Sequence, residues 1–202
     1  MSSCITFLYT FNVRYGEGKM KRVEIEITGN SALLHHRFAI EDAGENSSKM
    51  KKKVYVPIEE AEKAVFRNPD GTLYQPSEHI LGALIKAGVK FKYEGKKTYK
   101  DLMKASIIID PENIPLMNLN GEILTTWDEI DTRAVVIGRA RIVRWRPRFN
   151  NWLLKFEATI LDDDDIDMPT FKEIMEYAGK IGIGDYRPRF GRFMVTKFKV
   201  ME

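Results

Sequence analysis

Lys21–Thr28 reads KRVEIEIT, and its alternation is strict: Val23, Ile25 and Ile27 fall on one side, Arg22, Glu24 and Glu26 on the other. Successive side chains of a strand point to opposite faces, so the octet predicts a half-buried β-strand, apolar inward and charged outward. Ile5–Val13 (ITFLYTFNV) is rich in β-branched and aromatic residues and is broken by Tyr15-Gly16-Glu17-Gly18. It predicts an extra N-terminal strand, paired with its successor as a hairpin.

Further along, Ser77–Ala87 (SEHILGALIKA) predicts a short helix. Ser77 stands at the N-cap, Ile80, Leu81, Leu84 and Ile85 form the apolar face, and Gly88 stops it. Arg133–Trp145 and Trp152–Leu161 predict two long strands; in the second, Trp152, Leu154, Phe156, Ala158 and Ile160 share a face. Pro169–Lys180 is an amphipathic helix with Phe171, Ile174, Met175 and Ala178 inward, and Phe193–Val200 is a last strand. The order strand, helix, strand, strand, helix, strand predicts an α+β, ferredoxin-like βαββαβ fold: an antiparallel sheet covered by two helices. Two large insertions are expected at about 30–76 and 92–131, within a single domain over residues 1–202. "YVPIEEAEKAVF" in the first reads as a strand and a helical turn; Ala105–Asp110 falls in the second.

Composition narrows the functional classes. Hydrophobic residues make up 44% of the 202, within the globular range. The single cysteine, Cys4, excludes an internal disulfide and a multi-cysteine zinc site. No stretch approaches the ~20 apolar residues of a membrane span and no signal core opens the chain, so an intracellular, cytoplasmic protein without membrane partners is expected. Lys+Arg exceeds Asp+Glu by only 32 to 29, so net charge does not by itself require a polyanionic partner. The distribution of arginine says more. Trp145–Phe149 (WRPRF) and Tyr186–Phe190 (YRPRF) repeat one pattern, inside segments that also hold Arg139, Arg141, Arg144 and Arg192.

If Lys21–Thr28 runs upward in the expected fold, its exit loop with His35, His36 and Arg37, the turn at Arg146-Pro147-Arg148 and the loop at Arg187-Pro188-Arg189 all reach the same end. Proline fixes φ and pre-aims the flanking guanidiniums, which fork onto phosphates and stack on rings. Trp145, Phe149, Tyr186 and Phe190 are candidate base-stacking groups or core plugs. Gly182, Gly184 and Gly191 could bring backbone N–H groups close to an anion. The other sheet face mixes Arg22, Glu24, Glu26, Lys155 and Glu157 and offers no aromatic platform. The expected nucleic-acid contacts are therefore Arg37, Arg139, Arg141, Arg144, Trp145, Arg146, Arg148, Tyr186, Arg187, Arg189 and Arg192.

Three segments carry a family resemblance: "ITGNSALLHHRF" (Ile27–Phe38), "YQPSEHILGALIKA" (Tyr74–Ala87) and "GIGDYRPRFGRF" (Gly182–Phe193). They are similar, in order, to the entry strand, loop-and-helix segment and glycine-rich loop of the RAMP superfamily of CRISPR-associated RNA-binding proteins. The layout also resembles uncharacterised phage and mobile-element proteins. The RAMP resemblance implies a backbone-type subunit that binds RNA or single-stranded nucleic acid, beside copies of itself or other ribonucleoprotein subunits. It also implies insertions that act as a thumb or grip neighbouring copies.

Some members of that superfamily cut RNA. Metal-independent cleavage would need a histidine to move a proton and cations to steady the phosphorane, which makes His35 and His36 catalytic candidates with Arg146 and Arg187 as the cations. The resemblance adds Asp42, because one branch of the superfamily uses a loop aspartate. The alternatives for the histidines are packing against Leu33 and Leu34, or solvation. Adjacent histidines point to opposite sides of an extended chain, so no metal site is expected, and no cofactor motif occurs. Asp162–Asp165 is expected to complement the dipole of the helix that follows. A non-catalytic binding module is the first expectation; an endoribonuclease using His35 or His36 and a phage structural or protein-interaction component are the alternatives.

Overall fold

The computed structural model describes residues 20–38, 55–161 and 165–201. Strand β1 (Lys21–Gly29) forms where the alternation places it, with Val23, Ile25 and Ile27 fully buried. The segment before β2 (Leu33–Leu34) is short, and α1 (Pro57–Ala64) begins at the Tyr55–Phe66 stretch with proline in its first turn. Next come β3 (Tyr74–Pro76), α2 (Ser77–Gly88), α3 (Lys100–Ser106), β4 (Ile107–Asp110) and β5 (Asn113–Pro115). The chain continues through β6 (Glu129–Ile137), β7 (Ala140–Phe149), β8 (Leu153–Ile160), α4 (Met168–Ile181) and β9 (Phe193–Met201). The outcome is a mixed α+β structure with antiparallel sheets and, among the described residues, four helices.

The largest sheet has the order β4-β8-β1-β9, every neighbour antiparallel. Ile25 stands opposite Phe156 on one side and Phe198 on the other. Trp152, Leu154, Phe156, Ala158 and Ile160 are all buried, as their period predicts. Ile80 and Leu84 of α2 and Phe171, Ile174, Met175 and Ala178 of α4 join the same core cluster. Each such aliphatic or aromatic side chain contributes about 1.5–3 kcal/mol on burial. Asp167 caps α4, its carboxylate accepting from the Thr170 N–H at 2.9 Å, while Asp162–Asp164 lie outside the described residues. Ser77 does not cap α2 through its side chain; its N–H donates to the Glu112 carbonyl instead. On the face away from the helices, Glu24 pairs with Lys197 and Glu26 with Lys155, exposed bridges of small net worth.

Two expectations are corrected here. The strand beside β8 in this sheet is β4, from within the stretch expected to be insertion, and not Arg133–Trp145. β4 is four residues long, too short to show a period, yet Ile107 and Ile109 are buried. The more conspicuous Arg133–Trp145 segment contributes instead to a second sheet, β2-β7-β6, whose arginines keep much of it at the surface. Ile5–Val13 lies outside the described residues, and the neighbours of β1 in its sheet are β8 and β9.

The β6–β7 hairpin closes at Gly138-Arg139, with Gly138 at φ 60° as a two-residue turn of this kind requires. Arg146-Pro147-Arg148, expected to form a hairpin turn, therefore lies inside β7. Pro147 has no N–H to give; its carbonyl accepts from the His35 N–H at 3.1 Å. β3 and β5 form a small two-stranded sheet. Among the described residues no helix is long and apolar enough to cross a membrane.

Candidate nucleic-acid interface

The two arginine-proline-arginine segments do meet, although one is a strand and the other a loop. Alternation along β7 puts Arg144, Arg146 and Arg148 on one face, and the Gly182–Arg192 loop packs against it. Arg146 Nε donates to Asp185 Oδ2 at 2.6 Å, and the arginine is only 2% exposed. From β6, the Arg133 guanidinium lies 4.8 Å from the Phe190 ring centroid and 5.4 Å from that of Tyr186. Arg133 is in turn gripped by Asp131 at 2.7 Å. Burial pushes the Asp185 carboxyl up, but the Tyr186 N–H and Arg146 outweigh it and hold the carboxyl below the usual range.

The loop is stitched to the exit of β1. Asp185 N–H donates to the Leu34 carbonyl, Gly191 N–H to Ala32 and Ile183 N–H to Gly191. Gly184 and Gly191 have φ of 73°, and a Cβ on either would strike backbone: the Leu34 carbonyl for Gly184, the Ile183 carbonyl for Gly191. Gly182 N–H donates to Ala178 of α4. The glycines thus serve close packing of the chain on itself, and the N–H groups of Gly182 and Gly191 are spent internally.

The arginines divide into two groups. Arg146 is committed to Asp185, Arg148 to Glu129 at 3.4 Å, and Arg144 donates to His36 Nε2 at 2.7 Å. Arg37, Arg139, Arg141, Arg187, Arg189 and Arg192 are exposed, and none has a carboxylate partner among the described residues. Arg139 and Arg141 stand at the hairpin end; at ~3.3 Å per residue Arg139 is roughly 20 Å along the strand from Arg146, so these two do not join the loop.

Arg144 and Trp145 border a groove of about 490 Å³ together with His36, Arg37, Phe38 and Tyr55. Lys63 and Glu60 of α1 line its far wall. The Trp145 and Tyr55 rings are 6.0 Å apart at 30°. Phe149 and Phe190 are core plugs, at 0% and 7% exposure, whereas Tyr186 is 43% exposed.

His35 is a core residue. It is fully buried, tilted against Phe149, and its Nδ1 accepts from the Phe66 N–H. Its proton is thereby fixed on Nε2, which donates to Gln75 Oε1 at 3.1 Å. Gln75 donates onward to His79 Nδ1. Burial pushes His35 down to about 3, and burial also lowers His36 and His79. His36 accepts from Arg144 on Nε2, which leaves its proton on Nδ1. That Nδ1, Arg146 Nη1 and Arg148 Nε are buried without a hydrogen-bond partner among the described residues. All are donors, so the seam between sheet and loop has positive hydrogens to spare and too few acceptors. Asp42 lies outside the described residues, and among those described no group of three acidic, histidine or cysteine side chains could hold a metal.

Sequence reasoning missed Asp185 and Gln75, which hold the loop and the histidines in place. Asp185 was legible as the lone acid beside YRPRF; Gln75, the chain's one glutamine, gives no such sign.

No family model matches the chain, and no curated protein matches it in sequence. In structure the chain is similar to one from the Type III-B Cmr-β assembly bound to cognate target RNA, with a TM-score of 0.50 and 10% identity. The match covers 92% of this chain and 62% of that one, so the chain spans less than two thirds of its structural neighbour. A likeness at this identity is one of fold.

Proposed function

We propose that the protein is an RNA or single-stranded nucleic-acid binding module of RAMP-like architecture. The sequence order β1, α2, β4, β8, α4, β9 with the sheet order β4-β8-β1-β9 supports a ferredoxin-like core. The remaining elements then are insertions around it. The observation that carries the functional reading is the set of exposed arginines without carboxylate partners among the described residues, Arg37, Arg187, Arg189 and Arg192 by the glycine loop and Trp145 groove, and Arg139 and Arg141 on the hairpin arm.

These guanidiniums neutralise backbone phosphates, and Trp145 and Tyr186 stack bases. Arg146 and Arg133 work behind the surface: they hold the loop against the sheet so that Arg187 and Arg189 are presented outward. The structural neighbour, a chain of an RNA-bound assembly, is consistent with this use of the fold, and copies of this chain or other ribonucleoprotein subunits would be its neighbours on the strand. Fluorescence anisotropy with a labelled single-stranded RNA tests the reading. The native chain binds, and R187A/R189A/R192A binds at least tenfold more weakly with an unaltered circular dichroism spectrum. Equal affinity for the two proteins would remove it.

A further inference from the structure

Behind the loop, on the helical side, lies a second recess of about 400 Å³. Lys86 comes from α2, Lys180 from α4, and Arg187 and Arg192 from the loop. Its remaining lining is apolar or aromatic: Tyr177, Ile181 and Pro188. Among the described residues no acidic side chain borders it. For carboxylate partners, Arg67 has Glu62, Arg133 has Asp131 and Lys197 has Glu24. The four cations of the recess have none among the described residues.

Lys86 and Lys180 sit in the last turns of their helices, where a cation complements the dipole. That accounts for two charges and not for Arg187 and Arg192, which the loop after α4 brings to the hollow between the two helices. A phosphodiester carries one negative charge; a phosphomonoester carries about 1.5 to 2 at neutral pH and offers three acceptor oxygens. Four cations around a space the size of a small ligand match the second better. Arginine forks onto two such oxygens at once, and lysine adds a point charge. The Tyr177 ring, with Lys180 Nζ 5.6 Å from its centroid and Phe91 edge-on, gives a fixed flat surface beside the charges.

We propose that this recess is a site for a terminal phosphomonoester, carried on a free mononucleotide or on an RNA end. The inference rests on the nucleic-acid reading for the RNA-end source only. None of its lining residues borders the Trp145 groove, and it shares Arg187 and Arg192 with the loop surface. A strand lying on the loop would thus have its end held on the helical side.

The test compares one oligoribonucleotide with a 5′-phosphate, a 3′-phosphate or hydroxyls at both ends, and a nucleoside 5′-monophosphate with its nucleoside, on the full chain. One phosphorylated RNA end, or the monophosphate, binds at least tenfold more tightly than its hydroxyl counterpart. K86A/K180A, two exposed positions whose loss leaves the thermal midpoint in place, abolishes that advantage and leaves binding of the hydroxyl-ended RNA unchanged. No advantage for any phosphorylated ligand overturns the proposal, as does an advantage that survives in K86A/K180A. If hydroxyl-ended RNA fails to bind at all, the nucleic-acid reading falls while the mononucleotide pair still judges the recess.

Discussion

Arg146 and Asp185, thirty-nine residues apart, are joined by a 2.6 Å hydrogen bond with the guanidinium almost wholly enclosed. The pair pins the loop after α4 to the strand that carries the first arginine-proline-arginine segment. Removing one partner leaves a buried charge without compensation, which costs far more than the intact pair contributes.

Asp185→Asn is therefore expected to lower the unfolding free energy by about 3 kcal/mol, whereas the exposed Arg189→Ala changes it by less than about 0.5 kcal/mol. D185N/R146M recovers most of the loss, because both charges leave together. Urea denaturation of the native chain, D185N, R146M, D185N/R146M and R189A measures this; additive losses in the double variant would contradict the pairing.

Gly191 tests the packing of the loop. A Cβ there meets the Ile183 carbonyl at a φ of 73°, while at Gly71, φ 89°, it meets open space. Gly191→Ala is expected to cost more than about 3 kcal/mol and Gly71→Ala about 1–2 kcal/mol, the backbone penalty alone. Thermal midpoints of the two variants check the contrast.

His35 makes stability depend on acid. Its folded pKa of about 3 lies below the ordinary 6.5, so between those values the unfolded chain binds the extra proton. The contribution is complete above pH 6.5 and is lost as pH falls toward 3, with a slope of up to about 1.4 kcal/mol per pH unit from this histidine. Urea midpoints at pH 7, 6, 5 and 4 should fall accordingly, and the His35 ring resonances should not titrate between pH 8 and 5. Titration of that ring near pH 6.5 would refute its burial.

Trp145 separates stacking from charge. Trp145→Ala is expected to weaken binding of single-stranded RNA by about 1–3 kcal/mol without changing the salt dependence. An altered salt slope would show that the ring positions a cation instead.

Much of the fold could be read from the sequence, and the reasons are physical. β1, β8, α2 and α4 each repeat an apolar residue at the period of their own geometry, and burial follows that period. β4 could not be read, because IIID is too short to distinguish from a loop and its place is set by Ile107 and Ile109 finding β8. Arg133–Trp145 misled for the opposite reason: its β-propensity is high, but propensity does not say which sheet a strand joins. At the candidate site, repetition marked the two arginine-proline-arginine segments, but the chain-direction argument for their meeting assumed a hairpin turn and a sheet neighbour that do not form. Arg146 reaches the loop from within β7 through Asp185. The division between Arg146, which is enclosed, and Arg187 and Arg189, which are exposed, was not legible. It depends on Asp185 and on a strand that continues where a turn was expected. The recess between α2 and α4 left no local signal, since Lys86 and Lys180 meet only through helix packing.

The most direct measurement is RNA affinity as a function of salt, for the native chain and for R187A/R189A/R192A. Each phosphate contact on a single strand contributes about 0.7 to the slope of log K against log salt. The account predicts a linear, steep decline for the native protein and a slope smaller by roughly two in the variant. Parallel lines, or an affinity indifferent to salt, would contradict it.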